Sequence, residues 1–167
     1  MVALNKHLAL KDQGRYVLSA SYTDNGGAIT PLTKRETIVL RPAKVQAEDA
    51  DMVKNITRSN TNLGAIHNQS FFMLRGIDLK GINSLSYFYS SANRTGTIEV
   101  RLDSPKGDVI STVEFTPTGN WDTFKTLNAS LTAVTGKHNL YFVFVKTARP
   151  NNDLITVDYV NFNKAAK

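Results

Sequence analysis

The sequence predicts an all-β protein, and three observations predict it. Apolar residues recur with a period of two in several segments. Short runs are separated by Gly, Pro, Asn and Asp at intervals of roughly 8–12 residues. No segment holds an apolar stripe of helical spacing over three turns. Together these specify a β-sandwich or barrel.

The elements follow in order. Residues 1–41 read as a hairpin of their own. Tyr16, Leu18, Ala20 and Tyr22 alternate in "RYVLSASYTD", "NGG" turns the chain, and "ETIVLR" runs back. Pro42 breaks the pattern. We take residues 1–41 as an N-terminal β-hairpin, a remnant or extension of a preceding module, and residues 42–167 as the sandwich. "VQAEDAD" (45–51) opens it as a strand, with Gln46 and Glu48 on one face and Asp49 and Asp51 on the other. "TIEVRLD" (97–103) alternates Ile98, Val100 and Leu102 against Glu99, Arg101 and Asp103. After the turn "SPKGD", "VISTVEF" puts Val109, Ser111, Val113 and Phe115 on one side. "NLYFVFV" (139–145) is apolar on both faces, as a central strand is, and "DLITVDYVNF" (153–162) is the last strand before a basic tail.

Composition removes several function classes. The chain has 167 residues, enough for one well-cored domain, and its 41% hydrophobic and 20% charged residues are globular values. No apolar run approaches the roughly 20 residues of a membrane-spanning helix, so no membrane insertion is expected. "MVALNKHLALKDQGRY" lacks a signal peptide's apolar core, which leaves a cytosolic protein or a piece of a larger exported one. The absence of cysteine removes disulfides, thiolate nucleophiles and Cys-based zinc sites. The net charge of +6 is scattered, with Lys34-Arg35 its densest pairing, so it reads as surface solvation rather than a nucleic-acid footprint.

The enzyme motifs are missing too. There is no G-x-S-x-G elbow, no phosphate-binding glycine loop, and no zinc spacing among His7, His67 and His138. A carboxylate pair for glycoside hydrolysis would meet in space rather than in sequence, but most of the 14 acidic residues fall at turn or solvent-facing positions. Two stretches remain. In "VQAEDAD", oxygen side chains at alternate positions suit calcium, which takes roughly six to eight hard oxygens, but taken alone they read first as a polar strand edge. Trp121, the only tryptophan, lies in "TGNWDTFKT" behind a Gly-Asn turn signal. It reads either as a packing aromatic or as a flat platform on which the C–H face of a sugar stacks, with Asn120 and Asp122 beside it.

Five motifs in order give residues 44–163 a resemblance to the family 6 carbohydrate-binding modules, over about three-quarters of the chain. "VQAEDAD" is similar to the family's I-E-A-E-D opening, and "GTIEVRLDSPKGDVISTVEF" to its G-T-I-E-V-R-L-D-S-x-x-G-x-L-I-G-T run. "TPTGNWDTFKT" resembles T-G-G-W-x-T-W-x-T, "GKHNLYFVF" resembles G-x-H-D-L-Y-L-V-F, and "LITVDYVNF" resembles L-F-N-L-D-W-F-x-F. The resemblance implies a jelly-roll sandwich that binds oligo- or polysaccharide without catalysis and is attached to other domains of a larger exported polypeptide. It places the sugar on Trp121, with Asn120 as a neighbour. The family's second stacking tyrosine falls on Ala65, with His67 two residues on as a substitute wall, and its hydrogen-bonding asparagine falls on Thr156. A second cleft would have its aromatic at Phe71 and its acidic position at Arg101. Structural calcium would be held by Gln46, Glu48 and Asp158. The opening strands, with "SYTDNGG" and "PLT", resemble the junction before such modules in large exported bacterial proteins. The changes at Ala65 and Thr156 open the alternative of a structural or protein-interaction sandwich that has lost its sugar site.

Overall fold

A computed structural model describes residues 16–27, 30–146, 148 and 153–164. The chain forms two compact units, residues 1–42 and 43–167. In the first, β1 (Tyr16–Thr23) and β2 (Thr33–Leu40) pair antiparallel from Tyr16↔Leu40 to Thr23↔Thr33. The connection spans residues 24–32 and is longer than the "NGG" turn expected. Asp24 organises it, its Oδ1 accepting from the amides of Gly26 and Leu32. Val17, Leu18, Tyr22 and Leu40 on this pair of strands are exposed.

The second unit is an antiparallel sandwich. Its strands are β3 (Lys44–Gln46), β4 (Met52–Lys54), β5 (Thr57–Arg58), β6 (Leu63–Ile66), β7 (Phe71–Asp78), β8 (Ile82–Ser90), β9 (Gly96–Leu102), β10 (Val109–Phe115), β11 (Lys125–Ser130), β12 (Lys137–Val145) and β13 (Ile155–Lys164). One sheet has the order β10-β9-β12-β7-β4. The other has the order β11-β8-β13-β6-β5, with β3 pairing β13 beside β6. The apolar run β12 is an interior strand, as continuous hydrophobicity predicts, and β13 is interior to the other sheet.

The core lies between the sheets. Phe72 stacks on Phe142 at 4.4 Å within one sheet, and Tyr87 of the other meets Phe142 edge-on at 6.2 Å. Burying each such ring stabilises by about 1.5–3 kcal/mol. The Tyr87 hydroxyl is a local cost: it is buried, burial pushes its pKa up, and it has no hydrogen-bond partner among the described residues. Tyr87→Phe removes that unmet group without opening a cavity. It is expected to raise stability by about 1 kcal/mol, seen as a melting temperature a few degrees higher.

Two sequence expectations need correction. "VQAEDAD" is a strand only to Gln46; Ala47–Asp49 form a 3₁₀ turn, so Gln46 and Glu48 do not share a strand face. Asp51, beyond the turn, accepts the Arg75 amide on Oδ2. In β10 the register against β9 slips between Val109 and Ser111. The bulge turns Ile110 and Ser111 into the interior and leaves Val109 43% exposed, because one inserted residue resets a period of two.

The end of the sandwich at the β9–β10 turn carries a charged staple. Asp103, at φ +59°, accepts the Asn139 amide on Oδ1, and its Oδ2 lies 2.8 Å from Nδ1 of His138. The other ring nitrogen of His138 faces the Thr135 carbonyl at 3.2 Å. With acceptors on both sides, the imidazole is best served as a cation. The Asp103 hydrogen bond, then the Thr135 carbonyl, raise the His138 pKa; the His138 hydrogen bond lowers that of Asp103. The His138 contribution is therefore full below its ordinary pKa of 6.5 and lost as pH rises through its raised folded value. That of Asp103 is full above its ordinary 3.8 and lost as pH falls through its lowered folded value. The melting-temperature gap between the wild type and His138→Gln should be wider at about pH 5.5 than at about pH 8.5.

Candidate functional site

Antiparallel register decides which residues meet. The pairs Lys125↔Tyr89, Thr156↔Ser90 and Ile155↔Ile66 put the end of β8, the start of β11, the start of β13 and the end of β6 at one end of the six-stranded sheet. The loop from β10 into β11 carries Trp121 to that end, Thr156 opens β13 there, and His67 follows β6 there.

Trp121 is 39% exposed on a braced loop. Ser90 Oγ donates to the Trp121 carbonyl at 2.7 Å. The Thr118 amide donates to the Ser91 carbonyl at 2.7 Å, and Thr118 Oγ1 accepts from the Ser91 amide at 3.0 Å. Asn120 Oδ1 accepts from the amides of Asp122 at 2.9 Å and Thr123 at 2.7 Å, and Gly119 takes φ +105°. The loop that carries the indole is tied to buried Ser90, Ser91 and Thr118, so its backbone is preorganised. Asn120 is thereby partly committed: its carbonyl oxygen shapes the turn, and its amide nitrogen is the group left for a ligand.

The other features at this end are small or polar. The Thr156 hydroxyl lies 3.8 Å from where a Cβ on Gly64 would stand, so Thr156 and the Gly64-Ala65 stretch are neighbours. Ala65 sits at φ +49°, where the chain leaves regular strand geometry. His67 is held by Asp153, Nε2 to Oδ1 at 2.9 Å, with its side chain about 35% exposed. Its amide donates to Ser70 Oγ, which donates to the Asn55 carbonyl at 2.7 Å. Trp121, Asn120, Thr156 and His67 thus lie at one end of the fold. Sequence reasoning missed Ser90, Ser91, Thr118 and Asp153; two serines closing the aromatic run "YFYSS" were the available signal.

On the outer face of the five-stranded sheet, Glu99, Val143 and Phe71 share a row. Arg101 pairs with Glu99, Nε to Oε2 at 2.9 Å, and Phe71 meets Tyr141 edge-on at 5.3 Å. An acid does lie level with the Phe71 aromatic, but a guanidinium occupies it.

The opening turn gathers the residues expected to hold calcium. Gln46 is buried and pairs with Tyr159, beside Asp158. Burial raises the Glu48 carboxyl, with the charges of Asp158 and Asp49 adding to it; burial raises Asp158 against the pull of Lys44. Glu48 Oε2 is buried with no hydrogen-bond partner among the described residues. Two carboxylates whose pKa values burial raises, with a buried amide beside them, are a donor set that a calcium ion would satisfy. Among the described residues no three acidic or histidine side chains cluster, so backbone carbonyls and water would complete the shell.

Comparison with known proteins places this geometry. The pattern that defines Carbohydrate binding module (family 6) matches residues 43–164. An arabinoxylan arabinofuranohydrolase of Paenibacillus polymyxa is 30% identical over 105 residues, 62% of this chain and 16% of that protein. A family 6 carbohydrate-binding module from Clostridium cellulolyticum, solved in complex with xylose, superposes with a TM-score of 0.68 at 26% identity, over 72% of this chain and 96% of its own. A module from Clostridium stercorarium, solved with cellobiose, gives 0.64 at 26% identity, over 73% and 93%. The chain spans about a sixth of the length of the arabinofuranohydrolase it matches.

Proposed function

The chain belongs to family 6 of the carbohydrate-binding modules, and from that premise we propose that it holds a neutral β-linked glycan of the xylan class against Trp121. One observation carries this reading: the single tryptophan stands exposed on a loop braced from β8, at the end where Thr156 and His67 gather. The xylan class is suggested by the arabinoxylan-acting relative and by the xylose-bound module. The indole would take the apolar face of a pyranose, while the Thr156 hydroxyl, the Asn120 amide nitrogen and the His67 ring offer hydrogen bonds at its edge. The role is accessory. Tethered to a catalytic domain in a larger exported protein, the module raises the local concentration of polysaccharide. Calcium at Gln46, Glu48 and Asp158 would tie the opening turn to the last strand.

A second reading, a sandwich serving protein interaction alone, draws on the small Gly64-Ala65 stretch where the family places a stacking ring. Calorimetric titration with xylotriose separates the two. Saturable binding weakened about thirtyfold or more by Trp121→Ala is the expected result. No binding of xylotriose, cellotriose or laminaritriose would favour the second reading.

A further inference from the structure

The outer face of the six-stranded sheet has an order that solvent exposure does not require. Along β8 the core side chains are Leu85, Tyr87 and Tyr89, so Ser84, Ser86 and Phe88 face outward. Register then sets rows across the strands. Ser90 and Thr156 form the first, next to the Trp121 loop; Thr126, Phe88 and Tyr159 form the second; Asn128, Ser86 and Asn161 form the third.

The second row is an aromatic strip. Phe124, from the end of the Trp121 loop, stacks on Phe88 at 5.2 Å and 27°, and Phe88 stacks on Tyr159 at 5.1 Å and 17°. Lys44 closes it, with Nζ 4.0 Å from the Tyr159 ring centre. Stacking at these centroid distances is offset, so the rings overlap like shingles, and all three are partly exposed. None of the three rings belongs to the core cluster.

Beside it runs a polar relay. Asn161 Nδ2 donates to Asn163 Oδ1 at 2.6 Å, Asn163 Nδ2 to Ser86 Oγ at 2.8 Å, and Ser86 Oγ to Asn128 Oδ1 at 2.8 Å. The relay fixes the carboxamides yet leaves each with unused hydrogen-bonding capacity. It contains no charged side chain. Shingled rings next to fixed amides and hydroxyls match a ligand whose rings carry C–H faces and neutral hydroxyls.

We propose that this face continues the Trp121 site, and that a polysaccharide chain engaged at Trp121 runs on across Phe124, Phe88 and Tyr159, with the Asn128–Ser86–Asn163 relay contacting its hydroxyls. The inference rests on the reading of Trp121 as the sugar platform. It makes the module a reader of chain length, since a short oligosaccharide fills the Trp121 end alone.

Calorimetric titration with xylotriose and xylohexaose, in the wild type, Phe88→Leu, Asn128→Ala and Trp121→Ala, tests it. Melting temperatures verify folding, and amide-shift mapping locates contacts. The wild type should bind xylohexaose at least about tenfold more tightly than xylotriose, a gain beyond sliding registers. Phe88→Leu and Asn128→Ala should shrink that gain and leave xylotriose affinity unchanged, and xylohexaose alone should shift the amides of Ser86, Phe88 and Asn128. Equal affinity for the two sugars, or a length gain intact in both variants with those amides unmoved, overturns the proposal and leaves the aromatic strip a packing feature. Failure of the underlying reading looks different: neither sugar binds, or Trp121→Ala binds both as the wild type does.

Discussion

Calcium is expected to raise the melting temperature of this protein by about 5–10 °C at a concentration near a hundred times its dissociation constant. A ligand that binds only the native state stabilises it by about 2.7 kcal/mol at that excess, and a chain of this length gains about 2–4 °C per kcal/mol. The reason lies in the opening turn. Glu48 is held mainly by burial above its usual carboxylate range, with Asp158 and Asp49 nearby, and its Oε2 has no hydrogen-bond partner among the described residues. The sign of the pH effect follows. These carboxylates bind protons more tightly folded than unfolded, so without metal they oppose folding above their folded pKa values and are relieved as pH falls through them. The calcium shift should shrink over the same fall, as protons displace the ion. Glu48→Gln should equal or exceed the wild type in stability in EDTA, and it should lose most of the calcium response. A calcium-insensitive wild type would refute the assignment.

Gly107→Ala should cost about 2–3 kcal/mol, a fall of roughly 5–10 °C in melting temperature. Gly107 closes the turn after β9, where its amide donates to the Ser104 carbonyl and its carbonyl accepts from Arg101. A Cβ there would stand 1.9 Å from the Leu102 carbonyl oxygen. That neighbour is backbone, and Leu102 is fixed by the hydrogen bond its amide donates to the Asp108 carbonyl, so no side-chain rotation relieves the overlap. The turn must open, and the β9–β10 pairing with it. Because the turn lies at the opposite end of the sandwich from Trp121, the folded fraction should keep its sugar affinity. Thermal unfolding and xylotriose titration of the same preparation check both halves of this prediction.

Legibility varied with range. The strands whose faces differ, such as β9 with Ile98 and Val100 inward, were readable because burial imprints a period of two. The interior place of β12 was readable from apolar residues on both faces; that of β13 was not, since its sequence mixes polar residues among the apolar ones. Two features escaped for local reasons: one inserted residue at Ile110 reverses the parity of β10, and an acidic run such as "AEDAD" suits a 3₁₀ turn as well as a strand end. The candidate site was readable only through its tryptophan and the family pattern. The pairing of His67 with Asp153, the bracing of Trp121 by Ser90 and the stack of Phe124, Phe88 and Tyr159 join residues far apart in sequence, and pairing register alone brings them together.

The central claim is that Trp121 is a sugar platform, and its own fluorescence tests it most directly, since no second tryptophan contributes. Xylohexaose titrated into the protein in calcium should produce a saturable blue shift of indole emission and protect the indole from acrylamide quenching, as a pyranose replaces water on its face. Emission and quenching unchanged by xylohexaose, cellohexaose and laminarihexaose at millimolar concentration would contradict the account.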